Sequence, residues 1–213
     1  MKSIIKSNIF GLGTLLGLSF VLICITNHYI LTINFYNNNG DPLSGIPEQE
    51  GAVFESLQKW IYLSTAGYLL FKLSLISLIL YTALYLADHP VSYSKIFNVV
   101  ILSEYIFFVP AIIKIFWFHF EHPNGTLLEW QRLSVFSALS LFDSVSPDWY
   151  YPLQTLNLFE IGYWFLLTYG ISRVTRLNFD QSLRVVVFSY LPALFIWAAT
   201  VAFCTIMIIP NNG

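Results

Sequence analysis

Charge is what this sequence has least of. Only 10% of its 213 residues are Asp, Glu, Lys or Arg, against about 25% in an ordinary soluble domain. A chain with so few charges lacks the polar surface to enclose a water-soluble globule, and the solvent it fits is a bilayer. An excess of positive charge is missing as well. The formal net charge of −2 leaves no basic face to neutralise phosphates, which argues against a nucleic-acid partner. Cysteine is scarce: Cys24 and Cys204 both lie in apolar segments and read as small buried hydrophobes, not as a disulfide pair or a metal site. The signatures of common chemistries are absent too. There is no GxSxG nucleophile motif, no HExxH zinc motif and no glycine-rich phosphate loop, so the sequence leans away from an enzyme and implies no cofactor. Paired aspartates at intramembrane depth are missing, since Asp143 and Asp148 fall in a loop. No internal repeat, low-complexity tract or separate soluble domain interrupts the chain.

What is present is apolar length. Hydrophobic residues make up 56% of the chain and aromatics 18%, with a mean hydropathy of +0.66. A hydrocarbon core of ~30 Å needs about 20 helical residues. Five runs meet or approach that length: about 9–33, 60–87, 96–120, 153–171 and 184–209. A sixth segment, about 126–142, is too broken by Glu129, Gln131, Arg132 and Ser134 to span. Its apolar residues fall at three- or four-residue spacing, as in an amphipathic helix lying in the interface. The expected fold is therefore all-α: a single polytopic membrane bundle of five transmembrane helices plus one interfacial helix. The first run follows Lys2 and Lys6, as a signal peptide would, but it is too long and lacks a small-residue cleavage site.

Turn chemistry separates the runs. Asn37 to Pro42 is an Asn/Gly/Asp/Pro cluster, followed by an acidic stretch with Glu48, Glu50 and Glu55, the last part of which can begin a helix leading into the second span. Asp88-His89-Pro90 closes that span. Pro147 to Pro152 reads as a turn rich in interfacial aromatics. With the N-terminus inside, inner segments hold Lys2, Lys6, Lys95, Arg173, Arg176 and Arg184, while outer ones hold Lys59 and Arg132. The positive-inside rule thus favours a cytoplasmic N-terminus and a C-terminus on the outer side, in a bacterial inner membrane.

The candidate functional residues are the charges within the runs: Lys72, Glu104, Lys114 and Glu160. A charge at the helix centre costs ~3 kcal/mol on insertion scales, so partners are expected. Depth in the bilayer suggests two pairs, Lys72 with Glu104 and Lys114 with Glu160. Such pairs can simply fix helix packing, can belong to an ion or proton path, or can await counter-ions from a partner subunit. Gly13 and Gly17 form a GxxxG spacing that lets another helix approach closely. Pro110 and Pro192 are expected to kink their helices. His119, Glu121 and His122 could share a metal on one helix face, but Pro123 breaks the helix there and no further ligand is near, so no metal site is assigned.

Leu153-Gln154-Thr155-Leu156-Asn157-Leu158-Phe159-Glu160-Ile161 enters a run ending at Gly170, and Asn178 to Arg184 leads into a last run with Tyr190 and Pro192. This pattern resembles the C-terminal half of the Yip (Ypt-interacting protein) family of five-span membrane proteins. The likeness covers about 60 residues and rests on soft, apolar positions; the family's cytoplasmic N-terminal segment is reduced here to a handful of residues. It implies five spans and a cytoplasmic N-terminus, and no catalytic residue. The expected partners are the lipid bilayer and other membrane proteins or a second copy of the chain. The expected function is that of a non-enzymatic subunit or scaffold of a larger membrane assembly. The alternative is a small transporter or channel component that uses the four intramembrane charges.

Overall fold

A computed structural model describes residues 2–38, 50–122, 125–142 and 145–208. The expected turn around Gly40 to Pro42, the turn at Pro123-Asn124, Asp143 and the C-terminal tail lie outside them. Among the described residues all regular structure is helical. The elements are α1 (Lys2–Tyr29), α2 (Ile33–Asn38), α3 (Glu50–Leu86), α4 (Tyr93–Glu104), α5 (Phe108–Glu121), α6 (Leu127–Arg132), α7 (Pro147–Thr155), α8 (Leu158–Val174) and α9 (Phe179–Ile208). By length and composition, four stretches can cross a membrane: Ser7–Tyr29, Gly51–Leu86, Tyr93–Glu121 and Phe179–Thr205.

The fourth expected run, 153–171, departs from the reading. It divides into α7 and α8, with a break at Leu156-Asn157. Asn157 leaves the helical conformation (φ −135°, ψ 164°) and its side chain accepts a hydrogen bond from the Glu160 N–H at 2.8 Å. This is the local chemistry of a helix start. Pro147 to Pro152, expected as a turn, instead begins α7, with Pro147 in its first turn, where a missing N–H is harmless.

The expected interfacial helix at 126–142 is not one continuous helix. Thr126 and Glu129 form a reciprocal capping box that starts α6, which ends after six residues. Leu133 is extended and Phe136 has a positive φ of 50°. Ser137 pairs with Asn157 in an isolated bridge. Ala138 N–H donates to Leu156 O at 2.8 Å and Leu158 N–H to Phe136 O at 3.1 Å. Backbone pairing with the α7–α8 break thus takes the place of further helix, and a short 3-10 turn, Ala138–Leu141, follows.

α4 sits at the centre, packed against α1, α3 and α8, while α9 packs on α3, α7 and α8. Leu73, Leu80, Ile96, Val100, Tyr163 and Leu167 are among the side chains that form the main core. Polarity is inverted relative to a soluble protein: Phe188 is 80% exposed on the outside while Glu104 is 6% exposed within. In water the first would be a liability and the second expensive; against lipid each is in its favourable medium or has to be partnered. Cys24 and Cys204, expected buried, are both exposed on the bundle surface, so they fit the apolar surroundings of lipid and not of a protein core.

Pro110 has a visible consequence. It cannot donate to the Ile106 carbonyl, and its ring crowds that group. The helix accordingly tightens into a 3-10 turn, Tyr105–Phe107, between α4 and α5. At Pro192 α9 continues as helix without interruption. Gly13 and Gly17, expected at a close helix contact, have nothing among the described residues within 4 Å of where a Cβ would stand. Close approach occurs at other glycines. A Cβ on Gly170 would lie 2.3 Å from Val99 Cγ1, and one on Gly162 would lie 2.6 Å from Ile106 Cδ1, so α8 meets α4 at Gly170 and the 3-10 turn after it at Gly162.

Candidate functional site

The charged residues within the apolar runs fall into one centre and one outlier. Lys72 lies midway along α3 and reaches Glu104, the last residue of α4, with Nζ 2.5 Å from Oε1. The ammonium also sits 4.2 Å from the Phe107 ring centroid and 5.7 Å from that of Tyr163. An ion pair flanked by ring faces is a coherent way to hold a cation away from water, because the π-face adds electrostatic attraction to that of the carboxylate. Glu104 is buried, and among the described residues neither its second oxygen, Oε2, nor the hydroxyl of the fully buried Tyr163 makes a hydrogen bond of good geometry, although the two groups are close enough to interact.

Glu160 stands in the first turn of α8 and is 6% exposed. The free N–H groups of a helix start favour a carboxylate there. Its Oε1 accepts hydrogen bonds from Tyr190 Oη of α9 at 2.7 Å and from Trp164 Nε1, one turn further along α8, at 3.0 Å. The Tyr163 and Tyr190 rings meet edge to face at 5.6 Å, which ties this carboxylate to the Lys72–Glu104 pair through aromatic contacts.

The second expected pair is not formed. Lys114 of α5 stacks over Trp130 of α6, 4.5 Å from its ring centroid, and among the described residues no carboxylate pairs with it. The reason lies in the helix boundary. With α8 beginning at Leu158 and not at 153, Glu160 belongs to a helix start that faces α9, and the capping segment α6 supplies the partner for Lys114.

Lys72 and Glu160 both line a half-open cavity of about 200 Å³. Its walls come from α3, α7, α8 and α9 and are mainly aromatic and aliphatic, including Tyr68, Phe71, Tyr151, Tyr190 and Trp197. Trp197 Nε1 donates to Tyr151 Oη at 2.8 Å, and Phe71 and Trp197 have ring centroids 6.4 Å apart. Glu104 does not line this space. It holds Lys72 from the α4 side and borders a separate space toward α1. The cavity therefore contains one cation that is already matched and one carboxylate whose side-chain hydrogen-bond donors, among the described residues, are neutral.

Sequence reasoning missed the aromatic members Phe107, Tyr163, Trp164 and Tyr190. One signal was available: Asn157 and Glu160 have the spacing of a helix start, and Trp164 is four residues beyond Glu160. A further polar link also went unread. Asn8 of α1 donates to Ser94 O at 2.9 Å and accepts from Asn98 Nδ2 at 2.8 Å, which fastens α1 to α4. His119, Glu121 and His122 do not gather into a cluster with metal-binding geometry among the described residues. No protein-family model, curated protein or solved structure matches this chain.

Proposed function

We propose that this chain is a multi-pass membrane protein that binds a small solute inside its helical bundle, as a small transporter or channel component. The observation that carries this reading is the position of Lys72 and Glu160 on the walls of one half-open cavity. Charges that only lock helices together need no adjoining space. Here two of them border a volume large enough for a small molecule, at a junction of four helices, where ligand sites in bundles are commonly built. In the proposed topology α8 crosses as a fifth span, assisted by α7, with the N-terminus cytoplasmic and the C-terminus outside. The segment from α6 to the 3-10 turn then lies at the outer interface. At ~1.5 Å per residue α8 alone reaches about 26 Å, and the positive-inside count supports this orientation.

The test is transport in sealed vesicles containing the purified full chain. Lys72→Met and Glu160→Gln are expected to abolish or strongly reduce solute or ion flux. Wild-type flux in both variants, with intact protein, would remove the reading. A second reading, a scaffold or subunit acting through helix contacts as an intramembrane partner or as a homo-oligomer, draws on Gly13 and Gly17. Among the described residues nothing lies within 4 Å of a Cβ at either position, and glycines at that spacing allow close helix approach. Gly13→Leu with Gly17→Leu would disrupt assembly under this reading and leave flux unchanged under the first. Membership of the Yip family stays a proposal that would accommodate either reading.

A further inference from the structure

We infer that the cavity between α3, α7, α8 and α9 takes a small organic monocation, an amine with an apolar body, with Glu160 as its counter-ion. This inference rests on the solute-binding reading above and specifies its ligand. Three observations converge on it. First, the charge is unbalanced. Lys72 is matched by Glu104 at 2.5 Å, whereas the donors found on Glu160, Tyr190 Oη and Trp164 Nε1, are both neutral. With Glu104 set behind Lys72 and outside the cavity lining, Glu160 is the carboxylate that faces the space without an ion-pair partner among the described residues. A monocation can pair with the Glu160 carboxylate there, whereas an anion would set a second negative group beside it in a medium of low dielectric.

Second, the remaining walls suit a cation as well as its apolar body. Phe71, Tyr151 and Trp197 present rings to the same space, and Trp197 is fixed by its hydrogen bond to Tyr151 at 2.8 Å. Ring faces attract cations, Trp most strongly, and aromatic enclosures are a common way to recognise ammonium groups. Third, the size is appropriate. A dry cavity of ~150 Å³ holds benzene, so the volume of about 200 Å³ here fits a single ring with a short aminoalkyl chain, or an alkylammonium of similar bulk.

The test uses the full chain in nanodiscs and three probes of matched shape: phenethylammonium, the uncharged propylbenzene and the anionic phenylacetate. Binding is read as saturable change in tryptophan fluorescence, corrected for partition into empty nanodiscs. Phenethylammonium is expected to bind at least tenfold tighter than either of the others. Glu160→Gln, whose amide oxygen can still accept from Tyr190 and Trp164, should weaken the cation at least tenfold and leave propylbenzene unchanged. Trp197→Leu should weaken cation and neutral probe together, which places both in this cavity. Equal affinity of the wild-type chain for propylbenzene, a preference for phenylacetate, or an unaltered cation affinity in Glu160→Gln overturns the cation inference while the solute-binding reading stands. Absence of saturable binding by all three probes to the wild-type chain overturns both. The comparison of probes on the wild-type chain decides the matter even where a variant fails to fold.

Discussion

Lys72 Nζ and Glu104 Oε1 stand 2.5 Å apart across the α3–α4 contact, with the Phe107 ring 4.2 Å from the same ammonium. The two residues are 32 apart in sequence, and the pair therefore fixes how the second apolar run lies against the third. Removal of one partner leaves the other charge buried without compensation. Lys72→Met is expected to destabilise the protein by about 3–5 kcal/mol. The double change Lys72→Met with Glu104→Leu should be less destabilised than either single variant, because no orphan charge remains. Thermal unfolding of the three variants in one detergent checks this; a double variant no more stable than the worse single would show that the pair does more than satisfy itself.

The glycines give a prediction of opposite sign at two places. Gly170→Ala forces a methyl into Val99, where the available separation is 2.3 Å, and overpacking of this kind costs about 1–3 kcal/mol. Gly13→Ala and Gly17→Ala meet open space, and removal of a mid-helix glycine typically gains up to ~1 kcal/mol. Unfolding midpoints of the three single variants should fall for the first and hold or rise for the others.

How far this could be read in the sequence follows from what each feature depends on. Run length and turn residues are local, so the helical class and the long apolar helices were legible. Lys72 and Glu104 could be matched by depth alone, because each lies well inside a long run with clear ends. The same arithmetic failed for Lys114 and Glu160. Mean hydropathy carries one run from 153 to 171 over Gln154, Thr155 and Asn157, yet Asn157 caps a new helix there. The break is stabilised by backbone pairing with Phe136 and Ala138, a long-range contact that hydropathy cannot report. The glycine contact was misplaced for a related reason. GxxxG spacing says that a face is smooth, and which smooth face another helix occupies depends on the whole packing arrangement.

The capping box at α6 has a pH signature. The Thr126 N–H donates to Glu129 Oε2 at 2.7 Å, and this bond chiefly holds the Glu129 carboxyl below the ordinary glutamate range, against a smaller upward push from burial. A depressed carboxyl contributes stability that is complete above its unfolded value and is lost as pH falls through the folded one. The cap should therefore be intact at neutral pH and weaken below about pH 4.3. Hydrogen exchange at the Thr126 and Glu129 amides reads this directly. Protection should drop on acidification, and Glu129→Gln should flatten the pH dependence. Unchanged protection across that window would mean that the segment is held by its backbone pairing alone.

Trp130 is the partner that keeps Lys114 in an apolar run, and the argument can be put to a double-mutant cycle. Lys114 lies 4.5 Å from the Trp130 ring centroid, while the hydrogen bonds found on Glu160 come from Tyr190 and Trp164. A Lys114→Met/Trp130→Leu cycle should give a coupling of about 0.5–2 kcal/mol, the range of cation–π contacts from exposed to desolvated sites. A Lys114→Met/Glu160→Gln cycle should be additive within about 0.5 kcal/mol, as expected of residues with no shared partner. The charge swap Lys114→Glu with Glu160→Lys should accordingly fold worse than either single change, since it places a carboxylate against a ring face and an ammonium against two hydrogen-bond donors. Rescue by that swap would return Lys114 to Glu160 and separate α6 from the bundle. It would also give Glu160 a counter-ion of its own, and the cavity beside it would then hold no unmatched charge.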